Sequence, residues 1–109
     1  MAHHEFPAVT TADGVDELFE RSKQAPVLVF KHDPYCPISA AAHRAMTQVK
    51  GDIALVDVAH DQGVASAVTK RTGIRHESPQ VIVLKDGRAT WSASLWDITP
   101  DAVNAAARS

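Results

Sequence analysis

Three continuous and largely apolar runs constrain the fold of this chain more than any other feature of its sequence. They cover residues 27–30, 53–58 and 81–84, and each contains consecutive Val, Ile, Leu, Ala or Phe residues rather than an alternation with polar ones. Strands of this kind are usually covered on both faces, whereas a strand with one wet face alternates. The runs therefore predict a central β-sheet that lies between two layers of helices.

Segments with helical periodicity separate these runs. Apolar residues recur in them at i, i+3 and i+4 spacing, which is typical of a helix with one buried face. Proline is tolerated at the first helical position and glycine favours the helix end, so these residues mark boundaries. The expected boundary residues are Asp13 and Lys23 for the first helix, Pro37 and Gly51 for the second, Gly73 after the third, and Thr99 with Pro100 at the start of the fourth.

Two further strands complete the predicted order. Residues 6–9 are expected to form a short first strand, and Asp86-Gly87 is a two-residue hairpin turn that leads into a strand over residues 88–94. The apolar residues of that last strand are expected to share one face: Ala89, Trp91 and Ala93. The order β, α, β, α, β, α, β, β, α predicts one domain over residues 1–109. We expect an α/β three-layer sandwich with a mixed sheet, parallel crossovers and a terminal hairpin.

The only cysteine, Cys36, lies in a polar loop between the first apolar run and the second helix. Because Pro37 follows it, Cys36 is expected at or next to the N-cap of that helix. A sulfur there faces the free N–H groups of the first turn and the positive end of the helix dipole, which favour a thiolate. The thiolate is the nucleophilic form. The position indicates a reactive thiol, although a lone cysteine is also commonly a small buried apolar residue.

Composition and charge exclude several classes of protein. The net charge is -2 and no run of like charges occurs, so neither a nucleic-acid nor a membrane-surface footprint is visible. No apolar stretch is long enough to cross a bilayer, and the N-terminus lacks the pattern of a signal peptide, so we expect a cytoplasmic protein. One cysteine excludes a dithiol mechanism within one chain. The histidines lack the paired spacing of a metal site, so no metal is expected.

The order of these motifs resembles the thioredoxin fold. A strand leads into a cysteine at a helix N-terminus, and Ser78-Pro79 stands immediately before a later strand. In that superfamily the proline is cis and lies across from the cysteine. The resemblance therefore implies a cis peptide bond before Pro79, although cis is otherwise the minority form of X-Pro bonds.

A narrower resemblance is to the monothiol bacilliredoxin family, small proteins associated with bacillithiol, a low-molecular-weight thiol of certain bacteria. It extends over about residues 16–105, and the motifs that carry it are Phe30-Lys31-His32, Cys36-Pro37-Ile38-Ser39, His76-Glu77-Ser78-Pro79-Gln80, Lys85-Asp86-Gly87 and Trp96-Asp97-Ile98-Thr99. The resemblance implies a monothiol thiol–disulfide oxidoreductase that binds no cofactor and uses bacillithiol as co-substrate. Its expected partners are bacillithiolated client proteins and a low-molecular-weight thiol, and we expect a monomer.

The resemblance also implies roles for individual residues. Cys36 attacks a mixed disulfide between a client protein and bacillithiol, takes the bacillithiol and releases the client thiol. Ser39 occupies the place of a second, resolving cysteine, so an external thiol must resolve the adduct. Lys31 and His76 are expected on a donor-rich rim for the carboxylates of bacillithiol. The full set of expected substrate contacts is Pro37, Ser39, Lys31, His76, Ser78, Pro79, Trp96 and Asp97.

Other interpretations of these residues stay open. Ser39 is as well explained by local hydrogen bonds to the backbone, Lys31 by a solvated strand end, and Trp96 by packing. The segment Asp33-Pro34-Tyr35 also departs from the small hydroxyl residues expected before the cysteine. Because a nearby negative charge opposes ionisation of a thiol, Asp33 is expected to oppose the activation of Cys36.

Two rival functions also follow from the sequence. One is an iron–sulfur carrier like the monothiol glutaredoxins, although Pro37 stands where those proteins have glycine. The other is a redox-inert thioredoxin-fold interaction module, in which Cys36 is incidental. Reactivity of Cys36 toward alkylating agents separates this module from an oxidoreductase.

Overall fold

The computed structural model describes residues 6–109, which form four strands, four α-helices and one short 3-10 helix. In chain order the elements are α1 (Ala12–Arg21), β1 (Val27–His32), α2 (Pro37–Met46), β2 (Asp52–Asp57), α3 (Gln62–Thr72), β3 (Gln80–Lys85), β4 (Arg88–Ser94), the 3-10 helix (Leu95–Asp97) and α4 (Pro100–Arg108). The expected helix start at Thr99 and Pro100 is confirmed, since the Thr99 hydroxyl accepts the Ala102 amide.

The four strands form one mixed sheet in the order β2-β1-β3-β4. β1 and β2 are parallel and joined through α2, whereas β3 runs antiparallel to β1 and pairs with β4 in a hairpin. Asp86 and Gly87 at the hairpin turn both have positive φ, 54° and 80°, as a two-residue type I′ turn requires. The predicted mixed sheet and terminal hairpin are confirmed.

Both faces of the sheet are covered, so the core consists of two layers. Val27 and Val29 of β1 point into the layer beneath α1 and α3, and Leu28 and Phe30 point into the layer beneath α2 and α4. All four side chains are at most 1% exposed. This explains why the runs are apolar without alternation, and it confirms the three-layer prediction.

The predicted first strand is wrong. Only Ala8 makes a bridge, to Leu55, supported by hydrogen bonds from the Leu55 amide to Pro7 and from the Val9 amide to Leu55. Pro7 has no amide to extend the ladder. The chain then turns into α1, which begins earlier than expected, because Thr11 rather than Asp13 is the N-cap.

The expected face of β4 is also wrong, because a bulge interrupts its pairing with β3. Ala89 lies opposite Leu84 but Trp91 lies opposite Val83, so Thr90 is an extra residue on β4. An extra residue inverts the alternation of side chains beyond it. Ala89 therefore packs with the α1 and α3 layer, whereas Trp91 and Ala93 pack with the opposite layer.

Helix α2 ends earlier than the sequence predicts. Its last residue is Met46 and its C-cap is Thr47, so Gly51 lies in the connection to β2 rather than at the helix end. The glycine expected to end α3 is confirmed, because Gly73 is its C-cap and has a left-handed φ of 70°.

We predict opposite effects for two glycine substitutions in and after α3. Gly73→Ala forces a β-carbon into the left-handed region and should lower the free energy of unfolding by roughly 1–2 kcal/mol. Gly63→Ala lies within the helix, where a β-carbon meets no atom within 4 Å, and should raise it by up to about 1 kcal/mol. Urea unfolding measures both, and a destabilised Gly63→Ala would contradict this description of α3.

Candidate active site

Cys36 and the Ser78–Pro79 peptide lie at the same end of the two central strands of the sheet. Lys31 near the end of β1 pairs with Gln80 at the start of β3. Cys36 follows β1 and Pro79 precedes β3, so both segments leave the sheet beside this pair. The peptide bond between Ser78 and Pro79 is cis, as the resemblance implied.

Cys36 is the N-cap residue of α2. Its backbone is extended, with φ -107° and ψ 123°, its carbonyl accepts the Ala40 amide at 3.0 Å, and Pro37 occupies the first helical position. The thiol is free and half-buried. The predicted position at the helix N-terminus is therefore confirmed, and Cys36 does not lie in the apolar core clusters formed by residues 6–109.

Asp33 organises the turn that carries the thiol, residues 33–36, which we call the thiol loop. Its carboxylate accepts the Tyr35 amide at 2.9 Å, and its carbonyl accepts the Cys36 amide at 3.2 Å. A short polar side chain that bonds the backbone two residues on is a common turn device. The residue that departs from the expected hydroxyl pattern thus shapes the thiol loop.

Ser39 ties α2 to the end of β1. Its hydroxyl oxygen accepts the Asp33 amide at 2.9 Å and lies 2.7 Å from Nδ1 of His32. The side chain is 0% exposed. The hydroxyl hydrogen is satisfied if it is donated to His32, which places the proton of the neutral imidazole on Nε2. Burial and the neighbouring His43 lower the pKa of His32, which favours this neutral form. Ser39 is therefore not on a surface that substrate reaches, and local hydrogen bonding explains it.

The sequence suggested that Lys31 is a rim residue or a solvated strand end, and both suggestions are wrong. It is 0% exposed, and its ammonium donates to Oε1 of Gln80 at 2.9 Å. It shares the strand face of Val27 and Val29, which α1 and α3 cover. Burial lowers the pKa of Lys31 to about 8, partly opposed by the charge of Glu77.

His76 lies at the surface of the same end of the sheet. It lines a groove of about 400 Å³ together with Val58, Gln62, Ala65, Ser66 and Thr69. Partial burial, followed by the charge of Lys31, lowers the pKa of His76. Arg75 beside it is exposed, and its carbonyl accepts the side-chain amide of Gln80 at 3.1 Å.

The Ser78 hydroxyl has no hydrogen-bond partner within residues 6–109, although its oxygen is buried. A buried hydroxyl is normally paired with a protein or water partner. Because it lies immediately before Pro79, this hydroxyl is available to a group that binds at this end of the central strands.

The 3-10 helix brings exposed apolar side chains to this end of the molecule. It contacts α2, and the Leu95 amide donates to the Pro79 carbonyl at 3.0 Å. Trp96 is 68% exposed, which excludes the packing interpretation, and Asp97 beside it is exposed. Tyr35 of the thiol loop and Leu95 are also exposed, and no other large apolar residue of residues 6–109 is as accessible.

Sequence reasoning missed the burial of His43. This residue of α2 is half-buried, with its ring centroid 5.0 Å from that of His32 and 5.2 Å from that of Phe6. Ser39 lies four residues before it on the same helix face, so a buried Ser39 carries His43 toward the core. Within residues 6–109, no group of three or more His, Cys, Asp or Glu side chains could hold a metal ion.

Comparison with solved structures defines the class of protein. The chain is similar to a proposed oxidoreductase with a thioredoxin fold, with 26% identity over 92% of this chain and 91% of that one and a TM-score of 0.85. A mutant thioredoxin from Halobacterium salinarum NRC-1 (21% identity, 95% and 88% coverage, TM-score 0.72) and mitochondrial thioredoxin 3 from Saccharomyces cerevisiae (12%, 94% and 93%, 0.73) share the fold. The fold and the single cysteine at the helix N-cap define a monothiol member of the thioredoxin-fold proteins.

The family model described as monothiol bacilliredoxin BrxC matches residues 7–103. The chain belongs to this family, which confirms the resemblance drawn from its motifs, and it is accordingly a thiol redox protein. In the part of the chain that the structure describes, no helix is long and apolar enough to cross a membrane.

We predict that burial of Lys31 makes stability rise between pH 8 and 10.5. Below this window the lysine is charged in both the folded and the unfolded chain, and the penalty for burying the ammonium is fully felt. Within it the folded chain has lost a proton that the unfolded chain still holds, so the free energy of unfolding rises with pH. The total gain is at most about 3 kcal/mol.

Urea unfolding of wild type and Lys31→Met at several pH values measures this effect, because the variant lacks the group. The free energy of unfolding of wild type should increase relative to that of Lys31→Met as the pH rises from 8 to 10.5. Lys70→Met, on the exposed side of α3, is the matched control. A constant difference between wild type and Lys31→Met over this window would contradict the assignment.

We predict that Ser39→Ala destabilises the protein by roughly 1–3 kcal/mol, because it leaves the Asp33 amide and the His32 ring nitrogen without their partner. Ser66→Ala, at an exposed position of α3, should change stability by no more than about 0.5 kcal/mol. Thermal or urea unfolding compares them. Equal stabilities of the two variants would mean that Ser39 is not a structural tie.

Proposed function

We propose that this protein removes bacillithiol from client proteins by monothiol–disulfide exchange, with Cys36 as the nucleophile. The observation that carries the proposal is the placement of a lone, half-buried thiol as the N-cap of α2, at the same end of the sheet as the cis Ser78–Pro79 peptide, in a chain of the monothiol bacilliredoxin family. The free amides and the dipole of a helix N-terminus favour an anionic sulfur.

The first step is an exchange between sulfurs. The Cys36 thiolate attacks the bacillithiol sulfur of the mixed disulfide, a new disulfide forms between Cys36 and bacillithiol, and the client sulfur leaves as a thiolate that takes a proton from water. The buried hydroxyl of Ser39 has no redox chemistry, so the second step needs a second thiol molecule. That thiol attacks the bacillithiol sulfur, and Cys36 is released reduced.

The client protein is proposed to contact the exposed apolar residues around Cys36. Tyr35 lies on one side, and Leu95 and Trp96 extend from the 3-10 helix that touches α2. Large aromatic side chains supply most of the binding energy at many protein interfaces. This surface suits the protein part of a mixed disulfide better than a free low-molecular-weight disulfide.

The bacillithiol part is proposed to lie toward Pro37, Ser78, Pro79 and the loop that carries Arg75 and His76. The unpaired Ser78 hydroxyl and the exposed Arg75 guanidinium supply hydrogen-bond donors there. Because His76 is mainly neutral at neutral pH, it contributes a hydrogen bond rather than a full charge. Asp97, exposed beside Trp96, is the further proposed contact.

Intact-protein mass spectrometry after mixing with a bacillithiolated client protein tests this function. We expect wild type to gain the mass of one bacillithiol while the client loses it, and we expect no transfer to Cys36→Ser. Cys36→Ser should keep the fold, because position 36 is half-buried at a helix end rather than in the core.

A glutathionylated client provides the matched comparison of thiols. Preference for the bacillithiolated client supports recognition of bacillithiol, and equal transfer from both would mean exchange without that specificity. Transfer from neither client would overturn the proposal. A coloured cluster after anaerobic reconstitution would then favour an iron–sulfur carrier, and alkylation of Cys36 no faster than that of a free model thiol would favour an inert module.

A further inference from the structure

A chain of side-chain hydrogen bonds joins the thiol loop to the end of β2. The Tyr35 hydroxyl lies 3.0 Å from Nε2 of His60, and Nδ1 of His60 lies 2.8 Å from Oδ2 of Asp57, the last residue of β2. The two rings also contact edge to face, with centroids 5.5 Å apart. Tyr35 immediately precedes Cys36, so this chain begins one residue from the thiol.

The His60 end of the chain is firmly held. The other carboxylate oxygen of Asp57 accepts the amides of Ala59 and His60, both at 3.0 Å. The same carboxylate raises the pKa of His60, mainly through its hydrogen bond to the ring. The backbone and the ring of His60 are therefore both fixed by one residue of the sheet.

Tyr35 is 74% exposed, so packing does not explain its orientation. An exposed aromatic side chain usually samples several rotamers, and here only the contacts with His60 fix it among residues 6–109. Fixing the ring also fixes the backbone that it shares with the thiol loop. The Tyr35 and Cys36 amides both bond to Asp33, so the turn moves as one unit.

We propose that Tyr35 and His60 are positioning residues for Cys36, which hold the thiol loop against the end of β2 and so keep the sulfur at the N-terminus of α2. The inference rests on Cys36 being the reactive group and not on the identity of its substrate. Neither residue touches the reacting sulfurs.

The contacts of His60 with Tyr35 and Asp57 fit both protonation states of the His60 ring. The neutral ring donates from Nδ1 to Asp57 and accepts the Tyr35 hydroxyl at Nε2, whereas the protonated ring donates from both nitrogens. The charged groups that act on His60 are Asp57, Asp33 of the thiol loop and Asp61 at the N-cap of α3. The loop is therefore held across the titration of His60.

Amide hydrogen exchange at Cys36 tests these contacts directly, because this amide is bonded only within the thiol loop. Tyr35→Phe removes one oxygen and keeps the ring. We expect exchange at Cys36 to rise about threefold to tenfold, the range expected for loss of one hydrogen bond, and the melting temperature to fall by no more than the roughly 3–8 °C that the same loss implies. The rate of Cys36 alkylation by iodoacetamide, measured from pH 6 to 8, should fall by about twofold or more.

Three further variants separate positioning from charge and from general structure. His60→Leu removes this hydrogen bond and also the edge-to-face ring contact, so its effect should be at least that of Tyr35→Phe. The double variant should be no worse than His60→Leu alone, because the hydrogen bond that Tyr35→Phe removes is already lost. His60→Gln should recover part of the effect, since its amide can donate to Asp57 and accept from Tyr35. Asp61→Asn removes a charge beside His60 but none of the hydrogen bonds that join Tyr35, His60 and Asp57. It should leave the rates of amide exchange and of alkylation at the wild-type values.

Three results would overturn the proposal. Unchanged amide exchange in Tyr35→Phe would mean that the hydrogen bond from Tyr35 to His60 does not hold the thiol loop. Faster exchange with an unchanged alkylation rate would mean that it holds the loop without positioning the thiol. Additive effects of Tyr35→Phe and His60→Leu would mean that the two residues act separately. Because alkylation needs no bacillithiol, none of these results depends on the proposed substrate.

Discussion

The burial of β1 on both faces is the constraint on which the rest of the structure depends. With α1 and α3 on one side and α2 and α4 on the other, every residue from Val27 to Lys31 is enclosed. The strand is also paired on both edges, parallel to β2 and antiparallel to β3. Its end is therefore a fixed point, and the thiol loop, the start of α2 and the cis Ser78–Pro79 peptide are all placed relative to it.

The candidate site follows from what this fixed end supports. Ser39 ties α2 to the strand end, Asp33 shapes the thiol loop, and Tyr35 connects that loop to β2. The segment that departs from the expected hydroxyl pattern is thus part of one network of hydrogen bonds. The negative charge of Asp33 lies near His60, and Asp57, Asp61 and Asp33 together raise the pKa of that histidine.

The sequence predicted the sheet, the layers and the position of Cys36, because these depend on long patterns of apolar residues and on helix caps. It did not predict which polar residues are buried. Lys31 looked like a strand end because charged residues are rarely enclosed, yet its place two residues after Val29 puts it on the same covered face. The bulge at Thr90 left no mark in the pattern, so the sequence wrongly predicted that Ala89 shares a face with Trp91 and Ala93.

The roles of Ser39 and His60 depend on contacts that helical or strand periodicity does not encode. Ser39 meets the strand end across the thiol loop, and Tyr35 meets His60 across 25 positions of sequence. The spacing of Ser39 and His43 by four residues was the one available signal, since it places both on one helix face. Motif resemblance supplied the cis peptide bond, which neither composition nor periodicity indicates.

The tie made by Ser39 bears on how single-thiol and two-thiol proteins of this fold are related. A cysteine at position 39 would bring a larger atom and a weaker donor and acceptor into a fully enclosed space, where two partners lie 2.7 and 2.9 Å from the oxygen. The substitution Ser39→Cys would thus supply a second sulfur while removing the support of the first. An evolutionary path from this chain to a dithiol enzyme would have to rebuild the neighbourhood of His32 and Asp33 as well, so the single thiol is a property of the scaffold and not only of one position.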